Sequence, residues 1–266
     1  MSNGDRQDGD AQTGRRSLRR LFEPLLSARA LQREFLGPFE VNHEPYTLPC
    51  FTYRDPHTTE PIRLGLFGAI HGDEPAGALG IVQFLLELAQ QPDWAEGYLV
   101  HAYPVCNPTG FEDNTRGSRR GKDLNREFWK NSAEPEVQIL EEELKSRHFD
   151  GLIQLHADDT SDGLYGFVRG HTLTEHLLRP ALAEAGKILP RNTLPAIDGF
   201  AARDGIIYTH YEGVLAAPRE INPVPFEIIF ETPHAAAMDL QVQALAGALR
   251  TIMTEYRRLQ SFAQNI

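Results

Sequence analysis

An apolar run, Ile62-Arg-Leu-Gly-Leu-Phe-Gly-Ala-Ile70, ends on His71-Gly-Asp-Glu74, after which Pro75 opens an apolar-periodic stretch, Ala76–Leu88. A short unbroken apolar run predicts a buried strand; a proline followed by helical periodicity predicts the first turn of a helix. A strand that hands over directly to a helix is the building unit of a parallel α/β sheet, so this segment restricts the fold more than any other. It also sets a histidine and a carboxylate three residues apart at the carboxyl end of the strand, the edge at which open α/β sheets place their ligands. His plus Glu is two-thirds of a catalytic zinc shell, which takes three protein ligands and keeps a fourth position open. The same four residues also suit an ordinary strand-to-helix turn, so the rest of the chain must decide.

Further strands are expected at Phe39–Val41, Thr47–Tyr53, Tyr98–Val105, Gly151–Leu155, Leu164–Val168 and Glu227–Phe230. The first two, around the turn residues His43-Glu-Pro45, read as an antiparallel edge. Helices are expected at Leu25–Phe35, Glu134–His148, from a Thr172/Glu175 capping box to Gly186, and over about 235–260. A Glu141–Lys145 pair would support the second of these. The segment 188–225, with five prolines, reads as loop. The alternation predicts an α/β three-layer sandwich with a mixed, mostly parallel central sheet flanked by helices. Asn107–Lys122 is too long and polar for an ordinary connection and reads as a functional loop.

The 266 residues, 41% hydrophobic and 24% charged, fit one soluble domain over 18–266 with a disordered polar tail over 1–17. A net charge of −11 argues against nucleic acid or an anionic membrane as partner. No run is long and apolar enough for a membrane helix. Arg15-Arg16 and Arg19-Arg20 hint at a twin-arginine signal, but Glu23, Pro24 and Arg29 interrupt the apolar core that such a signal needs. Two cysteines, Cys50 and Cys106, make no disulfide framework, and a cytoplasmic location is expected.

Three expected strands are each followed at once by a candidate: His71 and Glu74, then His156, then Glu231. In a parallel sheet the carboxyl ends share one edge, so the four can converge. His71, Glu74 and His156 would complete a His₂Glu zinc site, and Glu231 would be its general base. Singly, each also fits a structural role.

The ordered series H-x-x-E, Asn107-Pro108, Thr115-Arg116, Asp123-Leu124-Asn125-Arg126, Leu155-His156 and Phe230-Glu-Thr232 resembles the M14 zinc carboxypeptidase superfamily, which includes the succinylglutamate desuccinylase/aspartoacylase branch. The resemblance covers about residues 65–232. It implies one bound Zn²⁺ on His71, Glu74 and His156, Glu231 as base, Asn125 and Arg126 as a substrate-carboxylate clamp, and Arg116 as the oxyanion arginine. Arg119 and Arg120 stand close enough to leave that last assignment open. A planar guanidinium beside an amide suits a carboxylate.

The resemblance further implies a zinc hydrolase cleaving an amide bond beside a free carboxylate. In aspartoacylase-like enzymes a β-rich domain follows the last glutamate, whereas Thr232–Ile266 reads here as a turn and a helix, which points to a carboxypeptidase acting on short peptides. Deacylation of an N-acyl amino acid is the alternative, and an inactive peptide- or carboxylate-binding relative is a third. Tyr208 and Tyr211 stand where peptidases carry a mobile tyrosine. Asp158, Asp159 and Asp162 could bind a substrate amine, hold a second metal or form a solvated turn. His101, His210 and His234 are expected in structural or supporting roles, with His234 nearest the base. Cys106 is expected in the core.

Overall fold

The computed structural model describes residues 14–208 and 214–263. Helix α1 (Leu18–Leu26) precedes a hairpin of β1 (Gln32–Val41) and β2 (Glu44–Arg54). A strand–helix–strand unit follows: β3 (Ile62–Gly68), α2 (Pro75–Gln90) and β4 (Tyr98–Tyr103). After α3 (Pro108–Asp113) and α4 (Pro135–Ser146) come β5 (Gly151–Asp158) and β6 (Tyr165–Val168). A helical run combines α5 (His171–Leu173), a π-turn at Thr174–Leu178 and α6 (Arg179–Ala185). Three short strands, β7 (Ala196–Ile197), β8 (Phe200–Arg203) and β9 (Ile206–Ile207), precede β10 (Phe226–Pro233) and α7 (Met238–Ala263).

The strands form one mixed sheet in the order β1-β2-β4-β3-β5-β10-β6-β9-β8-β7. At its centre β4, β3, β5 and β10 run parallel. The flanks are mainly antiparallel, with β1, β2 and β4 paired so on one side and β10 with β6, β9 with β8, and β8 with β7 on the other; β6 and β9 run parallel. The reason is connection length. Asn42 and His43, both at positive φ, make a two-residue turn that can only reverse the chain. Parallel neighbours are joined instead through helices, and the sheet is a sandwich layer as expected. From β3 the chain crosses to β4 on one side and later returns to β5 on the other, so β3 and β5 flank the point at which strand order reverses.

Pleat parity decides which residues face which layer. Leu64, Leu66, Ile153, Leu155, Ile228 and Phe230 pack under α1, α2, α6 and α7. Phe67, Leu152 and Tyr103 pack on the opposite face, against Val137, Leu140 and Leu144 of α4. On β5 this parity sends Gln154 and His156 to the α4 side, and on β10 it sends Ile229 and Glu231 there too.

Several local expectations are corrected. The first helix covers Leu18–Leu26 rather than Leu25–Phe35. Leu18, Leu21, Phe22 and Leu25 give it an apolar face, and Ser17 Oγ accepts from Arg20 N at its start. Arg15 and Arg16, expected in the tail, are ordered contacts of α3: Arg16 N–H donates to the Glu112 carbonyl and Arg15 Nε lies 3.0 Å from Asp113. The Thr172/Glu175 capping box is not formed; Gly170 precedes the helix and Glu175 pairs with Arg179. Lys145 pairs with Glu142, because Glu141 is turned to the Trp129 N–H. The loop-rich stretch 188–225 contributes β7, β8 and β9.

Two outcomes test this packing. Gly77 of α2 lies so close to β5 that an added Cβ would sit 2.4 Å from the Leu155 carbonyl oxygen. Gly77→Ala should lower unfolding stability by about 1–3 kcal/mol in urea titrations. His101 is buried against Thr52 Oγ1 (3.1 Å) and edge-on to Phe149. Burial, then the Arg147 charge, pushes its pKa down to about 4. Protonation therefore favours the unfolded chain: the stability His101 contributes is complete above pH 6.5 and is lost as pH falls toward 4, by up to about 3 kcal/mol. His101→Gln should show a shallower loss than wild type between pH 7 and 4.5.

Candidate active site

The candidate ligands and the candidate base are delivered at the ends of central strands. His156 and Glu231 are direct register partners on the parallel pair β5 and β10, on the same face of the sheet. His71 and Glu74 lie in the turn from β3 into α2, where Glu74 N–H donates to the His71 carbonyl at 3.2 Å. Gly72 allows that turn to lie against α3: a Cβ on it would fall 1.9 Å from the Gly110 carbonyl carbon. Gly72 N–H donates to the Arg116 carbonyl at 3.3 Å, joining the turn to the polar loop.

Glu74 occupies the N-cap position of α2 but makes no capping bond, so its carboxylate is turned elsewhere. His71 Nδ1 lies 2.6 Å from Oε1, His156 Nδ1 lies 2.9 Å from Oε2, and Ala157 N–H donates to Oε2 at 3.1 Å. All three residues are buried, and their donor atoms lie within 4.8 Å of one another. His71 Nε2 also faces Asp123 Oδ1 at 3.1 Å. A neutral imidazole has one N–H, yet His71 presents both nitrogens to carboxylates. If Asp123 takes the Nε2 proton, the Nδ1 lone pair points at a carboxylate oxygen, a contact relieved only by a further proton or a cation. His156 Nε2 is buried with no partner among the described residues. The donor set is thus of the type that can hold a metal ion such as zinc, with Asp123 fixing the tautomer of one candidate ligand. Among the described residues no second cluster of three His, Cys, Asp or Glu side chains is close enough to share an ion.

The electrostatics follow. Burial would raise the Glu74 carboxyl, but the imidazoles of His156 and His71 outweigh it and hold it below the carboxylate range. Burial works against His71 too, yet its bonds to Asp123 and Glu74 raise it. Burial lowers His156. Glu231 is pushed well above the carboxylate range by burial, then by the charges of Glu74, Asp158 and Asp198, against the pull of Arg116.

These groups open on a cavity of about 660 Å³, also lined by Arg116, Asn125 and Arg126. Arg116 is half exposed, with Nη1 3.4 Å from Glu74 Oε1 and Nε 3.2 Å from Asp123 Oδ2. Arg119 is instead held in a cage of Asp113, Glu44 and Tyr46, and Arg120 donates to the Ala133 and Glu40 carbonyls. Of the three clustered arginines, only Arg116 faces the cavity. Asn125 Oδ1 accepts from Leu215 N–H at 2.9 Å. Gln154 Nε2 and Trp129 Nε1 hold the carbonyls of Leu215 and Ala216. Arg126 Nη1 donates to the Asn125 carbonyl at 2.8 Å, and no carboxylate pairs with it among the described residues.

Other expectations divide. Asp158 and Asp159 line the cavity, whereas Asp162 is exposed outside it. Asp158 Oδ1 accepts from Thr160, and Oδ2 from the Tyr165 hydroxyl at 3.0 Å. Tyr208 is 59% exposed, interacts with Arg179 and does not line the cavity. Tyr211 and His210 lie outside the described residues. His234 is on the rim, with its N–H bonded to the Asp158 carbonyl and Nε2 3.2 Å from the Asp73 carbonyl oxygen. Cys106 is buried in the core, which raises its pKa.

Sequence reasoning missed Asp123, Asp198, Tyr165 and Arg16, all on the cavity wall or bonded to a candidate ligand. Asp123 stood within the Asp-Leu-Asn-Arg run and carried a usable signal. Arg16, bonded to Gly72 across 56 positions, carried none.

No curated protein matches the sequence significantly. Among solved structures, a candidate metallopeptidase from Shewanella amazonensis is similar at 22% identity and a TM-score of 0.77, over 90% of this chain and 92% of that one. A metallo-carboxypeptidase from Burkholderia cenocepacia has a TM-score of 0.69 at 15% identity, over 91% and 68% of the two chains. A succinylglutamate desuccinylase from Silicibacter sp. TM1040 has a TM-score of 0.59 at 16% identity, over 84% and 66%. At such identities these likenesses establish the fold. The profile of the succinylglutamate desuccinylase/aspartoacylase catalytic domain matches residues 61–193, half of the chain, including both histidines, Glu74 and the Asp-Leu-Asn-Arg run. With that match, the chain belongs to the succinylglutamate desuccinylase/aspartoacylase family, within the M14 zinc carboxypeptidase superfamily.

Proposed function

We propose that the chain is a zinc-dependent hydrolase that cleaves an amide bond beside a free carboxylate, acting as a carboxypeptidase on short peptides. The observation that carries this reading is the convergence of His71, Glu74 and His156 beside Glu231, in a cavity whose wall includes Arg126. Zinc held by those three residues would supply Lewis acidity, polarising the scissile carbonyl and bringing the pKa of a water toward neutrality.

The chain's own residues account for the rest. Arg126 and the amide of Asn125 bind the substrate carboxylate, which fixes the scissile bond relative to the ligands. Arg116, held between Glu74 and Asp123, presents its guanidinium to the oxygen that gains charge. Glu231 takes a proton from the attacking water at its carboxylate and returns it to the leaving nitrogen. As the register partner of His156 on the same sheet face, Glu231 stands beside the ligand set, where such a transfer is required.

Peptide substrates are favoured by the two-signed wall of the cavity: Arg116 and Arg126 supply cations, while Asp158, Asp159 and Asp198 supply anions. A short peptide carries a carboxylate and a free α-amine, whereas the α-amine of an N-acyl amino acid is blocked. The second reading, deacylation of an N-acyl amino acid, is favoured by the family to which the chain belongs.

Chelation should abolish hydrolysis and added zinc should restore it; an active, metal-free preparation removes the zinc reading. Glu231→Gln should bind zinc normally while kcat falls by about 10²–10⁴-fold, and retained turnover would exclude Glu231 as base. Arg126→Met should cost about 10–100-fold in kcat/KM for substrates with a free carboxylate, as expected for a lost charge-assisted hydrogen bond, and nothing for their amides. Hydrolysis of N-acetyl or N-succinyl amino acids in preference to dipeptides would select the second reading.

A further inference from the structure

Arg16 reaches the site from the amino-terminal side of α1, far from the segment that carries the other groups. Its Nη1 donates to the Gly72 carbonyl at 2.7 Å, in the turn between His71 and Glu74. Its Nη2 donates to Asn114 Oδ1 at 2.5 Å, and the guanidinium carbon lies 5.5 Å from the centre of the Phe111 ring. The backbone on either side is tied down as well, through Arg16 N–H to the Glu112 carbonyl and Arg15 Nε to Asp113. Asn114, in the left-handed conformation that ends α3, is therefore cross-linked to the ligand turn by one planar fork.

The neighbouring carbonyls of that turn have partners of their own: Asn107 Nδ2 donates to Ile70 at 3.3 Å, Glu74 N–H to His71 at 3.2 Å, and His234 Nε2 lies 3.2 Å from the Asp73 oxygen. Gly72 rests on Gly110 and donates its N–H to Arg116, but among the described residues its carbonyl has Arg16 as its hydrogen-bond partner. Gly72 is the neighbour of one candidate ligand and two residues from the other, so any rocking of its peptide planes displaces both donor atoms relative to His156. Groups that orient metal ligands from outside the shell commonly contribute 10–100-fold to metal affinity.

We propose that Arg16 is a positioning residue for the metal centre: by pinning the Gly72 carbonyl to the end of α3, it holds His71 and Glu74 where their donor atoms meet His156, and so tightens zinc binding. This rests on the zinc reading above. The fork geometry is essential to the role, because a lysine ammonium has no planar pair of donors with which to bridge the Gly72 and Asn114 oxygens.

The test compares the full chain with Arg16→Ala, Arg16→Lys and Arg16→Gln, all stripped of metal. Zinc affinity is measured by competition with a chromophoric chelator, the melting of the metal-free proteins is followed in parallel, and kcat and KM are measured after reloading. Arg16→Ala should weaken zinc binding about 10-fold or more, Arg16→Lys should recover little of it, and free guanidinium ion should recover part of it in Arg16→Ala. Zinc affinity within twofold of wild type in Arg16→Ala overturns the proposal. With a raised KM that result would make Arg16 a substrate contact, and with lowered melting alone a fold contact. Should Arg16→Ala fail to fold, the same twofold criterion applies to Arg16→Gln. A wild-type chain that binds no zinc removes the reading beneath the proposal, whereas tight and equal binding by wild type and variant removes only the part assigned to Arg16.

Discussion

One carboxylate organises this site. Glu74 sits at the start of α2 yet caps nothing, and both of its oxygens are committed to imidazoles delivered by different strands. An ionised group this deeply buried is costly unless compensated. Its compensation comes from His71 in its own turn, from His156 on β5 and from the backbone N–H of Ala157. The parallel pairing of β3, β5 and β10, which ends all three strands at one edge, is what makes that compensation possible. The sheet and the polar centre are therefore mutually dependent. Without the register the carboxylate would be stranded, and without the carboxylate the two histidines would have no common partner.

The polar loop after β4 works outward from this centre. Asp123 receives His71 and Arg116, so one acid orders a candidate ligand and a candidate oxyanion group together. Arg119 looks equivalent to Arg116 in sequence but is used quite differently, clasped by Asp113 and stacked over Tyr46. Three arginines within five residues thus separate into one that faces the cavity, one that braces the loop and one that bonds backbone carbonyls. Partners supplied by distant segments decide which is which.

That dependence explains what the sequence could and could not disclose. The strand ends at His71, His156 and Glu231 were legible because each follows a short apolar run, and parity within a strand needs no long-range information. The β3–α2–β4 unit and the closing helix were legible for the same reason. Helix α1 was set several residues too late, because proline and paired arginines masked an apolar face that only packing on α2 makes evident. The parallel core was foreseen, but the strands between 188 and 225 are too short and too rich in proline to show periodicity. Asp123 lay within a visible motif with its role unread. Arg16 lay beyond any pattern, since nothing local to a polar amino-terminal segment encodes contact with a glycine carbonyl 56 residues away.

The peptide units at Leu215 and Ala216 have a separate significance. Asn125, Gln154 and Trp129, from three different parts of the fold, grip this short piece of backbone on its N–H and both carbonyls. It is a mooring beside the cavity, and Asn125 belongs at once to the mooring and to the cavity wall. Asn125 and Gln154 are themselves buried, so the grip on this backbone comes from inside the fold rather than from its surface. A disturbance at Leu215 would therefore reach β5 through Gln154 and the polar loop through Asn125 and Trp129, which makes this backbone a mechanical junction between the sheet and the cavity wall.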